Sequence, residues 1–376
     1  MEILDKLFVL AESRLLIRDR RTWQEQMPIF VQLLHMLSLE DAQTLCRRLW
    51  DYHAPQDEDD HEVLLLLAHI NMFVPGALIP LLPVLAAGGY FYPGYLYLGA
   101  DEGTCQLLLS LIGTPAETRR SALLMALAWI GNEAVQKQFH AWHIQPPDWR
   151  PELFIPPEDY AHEAGWELTK EGGRRDLYFA SCVELVKDEQ AELSREVEAT
   201  QATELGRCAW CQRPLRRLLD LDLRDPRCRW ISAEGERLRL AVCTQCSFYS
   251  TIYLDIALTG EVHWSPLNGD KPALLSKIPE DGEMIELPEP LIPGAARRTP
   301  FEAVGRFLLD ENGTSQLGGH PEWIQDAEYP SCPVCQQTMP SLGQVAFEDW
   351  EEYGEGVFYL FLCLPCRKAA TRYQQT

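Results

Sequence analysis

The sequence predicts an α+β chain of several domains, in which an N-terminal α-solenoid precedes β-rich modules stapled by cysteines. Three observations predict it. Residues 1–145 carry helix periodicity broken by cap signals. Later apolar runs alternate with period two. Eight of the twelve cysteines fall into four Cys-x-x-Cys pairs.

The helical part begins with a pair, Trp23 to Leu37 and Glu40 to Tyr52, joined at Ser38. The stretch Val63 to Ala100 is almost uncharged and long enough to raise the question of a membrane span. It holds Pro75, Pro80, Pro83 and Pro93 with His69 and Asn71 inside, and no basic flank orients it. Two buried helices with a tight connection are expected there. Thr114-Pro115-Ala116-Glu117 reads as an N-cap, a proline at the first helical position and a capping-box glutamate. The helix it starts should run through Ile130 and stop at Gly131; the next begins near Asn132 and carries Val135, Phe139 and Trp142 at helical spacing. Short helix pairs in series predict the solenoid.

A connector rich in proline and aromatic residues follows over 146–205, ending in a polar, increasingly acidic helix expected from Leu177 to Glu204. Beyond it, Arg237 to Val242, Thr251 to Ile256 and Val357 to Leu362 read as strands. Between the cysteine units, Pro266 to Pro300 holds seven prolines among Asp, Glu and Gly, and is expected to be a linker or an irregular surface arm. The predicted domains are therefore 1–145 (helical), 146–205 (connector and acidic helix), 206–265 (first cysteine module), 266–305 (linker) and 306–376 (second module).

The cysteines form a repeated unit. Cys208-Ala-Trp-Cys211 pairs with Cys243-Thr-Gln-Cys246, and Cys332-Pro-Val-Cys335 with Cys363-Leu-Pro-Cys366. The intervals are 31 and 27 residues, Gln212 and Gln336 follow the first knuckles, and Leu215 and Met339 stand three further on. Gly235-Glu236 and Gly354-Glu355 precede the second knuckles. Two sulfurs on one such turn stand about 3.5–4 Å apart, and two turns complete a tetrahedral shell for Zn2+. Thiol redox chemistry normally uses a single Cys-x-x-Cys at a strand-to-helix junction, so four mirrored pairs point to two structural Zn2+ sites of zinc-ribbon-like type. Cys46, Cys105, Cys182 and Cys228 are expected to stay free thiols.

Net charge is −23, from 33 basic and 56 acidic residues. Residues 1–150 hold 18 acidic and 11 basic side chains, and the remainder 38 and 22, so the cysteine modules lie in the more acidic part. A phosphate backbone would be repelled, which excludes nucleic acid as partner. The N-terminus shows no basic region followed by an apolar core, and paired thiolates need a reducing compartment, so a cytoplasmic location is expected. No phosphate-binding glycine loop, Gly-x-Ser-x-Gly or His-Glu-x-x-His occurs, and a non-enzymatic role is expected. His140 and His143 lie three apart on a helix without an evident further ligand nearby in sequence. Of two acidic clusters, Asp57-Glu58-Asp59-Asp60 reads as a solvated loop. The other, Glu348-Asp349-Trp350-Glu351-Glu352-Tyr353, interleaves aromatic anchors with carboxylates and is the candidate partner surface.

Two resemblances add to this. Arg119 to Phe139, with its paired arginines and Ile-Gly-Asn-Glu-Ala-Val turn, resembles a HEAT-type repeat, which implies a HEAT-like solenoid. Leu317-Gly-Gly-His-Pro-Glu-Trp-Ile-Gln325, with the second cysteine unit, Met339, Gly343-Gln344 and the strand into Cys363, resembles the bacterial YwqG-like group over about residues 310–370. That resemblance implies a β-rich fold and no established activity; the long helical front half departs from the core group. Proteins of both kinds resemble immunity proteins encoded beside secreted polymorphic toxins. The expected function is thus binding and neutralisation of a basic toxin domain, against the alternatives of an enzyme with a cleft between solenoid and β domain, or a housekeeping scaffold.

Overall fold

The computed structural model describes residues 3–17, 20–55, 61–114, 119–188, 206–275, 290–307, 313–349 and 354–375. It is α+β and divides into two compact units, Met1–Asp176 with Val304–Glu311, and Leu177–Ala303 with Asn312–Thr376.

The first unit is built from α1 (Ile3–Ile17), α2 (Arg20–Leu34), α3 (Leu39–His53), α4 (Glu62–Phe73), α5 (Leu82–Gly88), α6 (Glu102–Ile112), α7 (Arg120–Ile130) and α8 (Glu133–Ile144). Their starts are set by side-chain caps. Ser38 accepts from the Asp41 amide, Asp101 from Thr104 and Asn132 from Val135, so in each case a donor the helix leaves unpaired is satisfied. The Thr114–Glu117 start signal falls largely outside the described residues. α4 is almost wholly buried from Val63 to Phe73, with Leu65 the exception. Asn71 inside it explains why a polar group stands in this apolar stretch: its amide donates to Tyr95 and Leu98 carbonyls and its oxygen accepts from Gly76. No helix among the described residues is long and apolar enough to cross a membrane.

The unit closes with a 3-10 segment, Pro157–Ala164, and the hairpin β1 (Trp166–Leu168) and β2 (Arg174–Asp176). Trp166 ties this hairpin to the helices, donating to Ala128 O at 2.8 Å and stacking on Phe139. Gly131 ends α7 in the left-handed region with φ 50°; a Cβ there would lie 2.4 Å from Arg174 Nη1, so the junction requires glycine.

The second unit has twelve-strand numbering continued as β3 (Cys182–Val186), β4 (Arg216–Asp222), β5 (Arg237–Val242), β6 (Ile252–Ile256), β7 (Val262–Trp264), β8 (Ile292–Ala296), β9 (Gln316–Gly318), β10 (Ser341–Ala346), β11 (Val357–Cys363) and β12 (Lys368–Gln374). A short helix α9 (Glu302–Phe307) carries the chain across the boundary between units. Eight strands form one antiparallel sheet in the order β7-β6-β12-β11-β10-β9-β3-β8, and β4 and β5 form a separate two-stranded sheet.

Three expectations about organisation differ from the structure. The helix expected from Leu177 is a strand at Cys182–Val186, where Val183 and Leu185 are buried and Glu184 is less so, a period-two pattern overshadowed by the acidic run after it. Residues 189–205 lie outside the described residues. The expected linker contributes β8, and Pro293 is tolerated because β8 is an edge strand that needs no amide there. The cysteine modules are not separate domains either. β6 and β7, which follow the first, join the sheet beside β12 of the second.

β11 is buried along its whole length, and its two faces have different tasks. Phe358, Leu360 and Leu362 pack into one core with Leu219, Leu240, Cys208, Cys243 and Cys246. Val357, Tyr359, Phe361 and Cys363 pack into the other with Cys332 and Met339. Period-two alternation therefore places cysteines of one cluster in the core of each face. Leu360→Ala should cost about 2–5 kcal/mol, measured by denaturant titration; a loss below about 1 kcal/mol would show that this face is not closely packed.

Candidate metal centres

The first knuckle of each unit is made the same way. In one, Gln212 N donates to Cys208 O and Cys208 N to Arg213 O; in the other, Gln336 N donates to Cys332 O and Cys332 N to Gln337 O. Gln212 and Gln336 both take positive φ, 61° and 60°. Leu215 N reaches back to Gly206 O, and Met339 N to Pro330 O. The sequence repeat is thus a repeat of backbone geometry. The second knuckles diverge: Cys243-Thr-Gln-Cys246 follows β5 into a turn of its own, whereas Cys363-Leu-Pro-Cys366 is the tight connection from β11 to β12.

These turns gather Cys208, Cys211, Cys243 and Cys246 into one cluster and Cys332, Cys335, Cys363 and Cys366 into another, with all sulfurs of each within 4.8 Å of one another. The Cys211–Cys243 and Cys208–Cys246 sulfurs are 3.4 and 3.8 Å apart, and Cys335–Cys363 3.8 Å. A tetrahedral Zn2+ with bonds of about 2.3 Å needs sulfur separations of about 3.8 Å. The donor set fits that ion and leaves no open position in its shell. Hydrogen bonding among the four thiols, from Cys208 first, holds Cys211 and Cys243 below the usual thiol range and pushes Cys208 and Cys246 above it. The Gln337 amide beside Cys335, helped by the neighbouring thiols, lowers that residue to about 7. Cys335 is the one exposed ligand.

The other four cysteines, Cys46, Cys105, Cys182 and Cys228, are buried and stand outside both clusters. Burial pushes Cys46 far up and Cys182 to about 12, so both remain protonated thiols.

The proposed partner surface divides. Trp350, Glu351, Glu352 and Tyr353 lie outside the described residues, as does Asp57–Asp60. Asp349 is committed internally, accepting from Gly313 N at 2.6 Å and Ser315 N at 2.8 Å. Glu348 is half-buried and its charge is felt by Glu322.

The Leu317–Gln325 motif is a buried turn inside the sheet unit. Gly318 and Gly319 take φ of 74° and 76°, and a Cβ on Gly319 would lie 2.7 Å from Cys182 Sγ. Gln344 Oε1 accepts from Glu322 N, and Tyr359 Oη donates to Glu322 O. The Glu322 carboxyl itself is buried, with neither oxygen in hydrogen-bonding geometry to a described donor. Burial, reinforced by Glu348 and partly offset by Gln344, raises it to about 8.

His140 and His143 do have carboxylates near them. The 3-10 segment and β1 bring Glu158, Asp159, His162 and Glu167 to the same pocket. Sequence spacing from α8 did not reveal them, because they are 15 to 27 residues from His140 and His143 along the chain.

No family model matches the chain, and no solved structure matches it. It is similar to the "Uncharacterized protein YpfL" of Salmonella typhimurium (strain LT2), 40% identical over 277 residues that cover 72% of this chain and 62% of that protein. The chain thus spans less than two thirds of the relative's length.

Glu322 makes stability depend on pH. Its carboxyl keeps a proton in the folded state up to about pH 8, while the unfolded chain ionises near its ordinary value of 4.5. The unfolded state binds fewer protons between these values, so stability is greatest below about pH 4.5 and falls as pH rises to about 8. Over roughly 3.5 units at about 1.4 kcal/mol per unit the loss is on the order of 5 kcal/mol. Glu322→Gln should lack this contribution and exceed wild type most at pH 8; identical pH–stability curves for the two would contradict it.

Proposed function

We propose that the chain is a non-catalytic binding protein of the cytoplasm, its second unit held by two structural Zn2+, and that its partner is a basic protein: a toxin domain that it binds and neutralises. The observation that supports structural metal is the pair of closed four-sulfur cages, the first largely within a hydrophobic core and the second with Cys332 and Cys363 in a core and Cys335 at the surface. Closed shells offer substrate no vacant coordination position. What supports a basic partner is a net charge of −23, with most of the excess beyond residue 150. A field of that sign speeds capture of a cationic domain and disfavours nucleic acid. The helical unit, taken as a HEAT-like stack, would add a broad concave surface for contact.

Protein purified without chelator should contain two Zn2+ per chain by elemental analysis, and Cys335→Ser should unfold the second unit, since such sites contribute on the order of 10 kcal/mol. One zinc or none would contradict the metal reading. For the partner, co-expression with the toxin encoded beside this gene should protect cells, and association should slow strongly as salt shortens the Debye length to about 8 Å. Charge reversal at Glu351 and Glu352 should slow association further. Absence of protection, or of any such toxin gene, would overturn the immunity reading.

A further inference from the structure

We infer that the first unit holds a third metal site, built from histidine and carboxylate instead of thiolate, in the pocket between α8, the 3-10 segment Pro157–Ala164 and β1. The pocket encloses about 410 Å3 and is lined by His140, His143, Glu158, Asp159, His162 and Glu167. Imidazole with carboxylate suits a divalent ion of borderline softness such as Zn2+, Co2+ or Ni2+.

Five features of the pocket support this. His140 and His143 are three apart on α8 and so share one helix face. Glu158 Oε1 holds His143 Nδ1 at 2.7 Å, which leaves Nε2 as that ring's donor atom. A carboxylate on the far nitrogen is the arrangement that orients metal-binding histidines and raises their basicity. Glu167 lies near His162 without a hydrogen bond to it, its Oε2 3.9 Å from Nε2, and is itself anchored by Arg175. Glu158 Oε2 is buried and has no hydrogen-bond partner among the described residues, although the side chain lines the pocket. Finally, the turn before β2 closes against the site through Gly172, where φ is 79° and a Cβ would lie 2.6 Å from His140 Cγ. Only glycine lets that turn approach the ring so closely.

His140, His143, His162 and Asp159 would supply the ligands, with Glu158 and Glu167 behind two of the histidines. Lys170 at the pocket rim and Arg150 near Asp159 limit the negative charge there. The donors are not gathered within 4.8 Å as the sulfurs are, so binding must draw in half-exposed side chains. The ion should therefore be held more weakly than in the cages and exchange under dialysis.

The test uses the full chain in its zinc-loaded form, equilibrated with Co2+, with metal content and visible spectra measured for wild type and for His143→Ala/His162→Ala. Wild type should take up one more Co2+ than the variant. Its added spectrum should be weak and free of the near-ultraviolet charge transfer that thiolate ligands give. Because the count is a difference, it does not depend on how fully the cages are loaded. Glu158→Gln should weaken the same equivalent about 10–100-fold with an unchanged melting temperature, and Asp159→Asn gives a second ligand variant if the double variant fails to fold. Equal Co2+ uptake by wild type and all variants, or thiolate charge transfer in the additional equivalent, would overturn the proposal.

Discussion

The second unit depends on the double burial of β11. A strand buried on both faces must be apolar throughout, and Val357 to Leu362 is. On one side it shields the first cluster among leucines of β4 and β5, and on the other Cys332 and Cys363 of the second cluster beside Tyr359 and Phe361, with Cys335 at the surface. Burying thiolates without a counter-charge is prohibitively costly, so the cores on both sides presuppose that the sulfurs are protonated or neutralised by metal. β11 thereby couples two sites that are separate in sequence. Its last residue, Cys363, is itself a ligand of the second cluster.

The repeat of two cysteine units does not mean two repeated domains. Their first knuckles agree in hydrogen bonding and in the positive φ of the following glutamine, a local geometry confined to six residues. Beyond the knuckles the units part: β4 and β5 stay as a separate ribbon, and β10 to β12 form the middle of the sheet. Tight turns carry the same information wherever they occur, whereas strand pairing depends on partners far away in the chain.

That distinction explains what was legible in the sequence. The joint at Ser38, the helix start near Asn132, the stop at Gly131, the strands β5, β6 and β11 and all eight clustered cysteines were readable because each signal is local. β3 was hidden by its short length and by the acidic residues after it, and β8 by prolines that an edge strand accommodates. The joining of β6 to β12 brings together segments more than a hundred residues apart, and no pattern within either announces it. The histidine pocket was missed for the same reason, since most of its side chains come from the connector and not from α8.

Hydrogen exchange along β11 tests the coupling most directly. If one strand shields both cages, Cys211→Ser, which disables only the first cage, should also reduce protection of the Val357–Cys363 amides that back the second. Exchange should rise along the whole strand together, in one cooperative opening. Full protection of β11 in that variant, with exchange confined to β4 and β5, would show that the two clusters are independent and contradict the account.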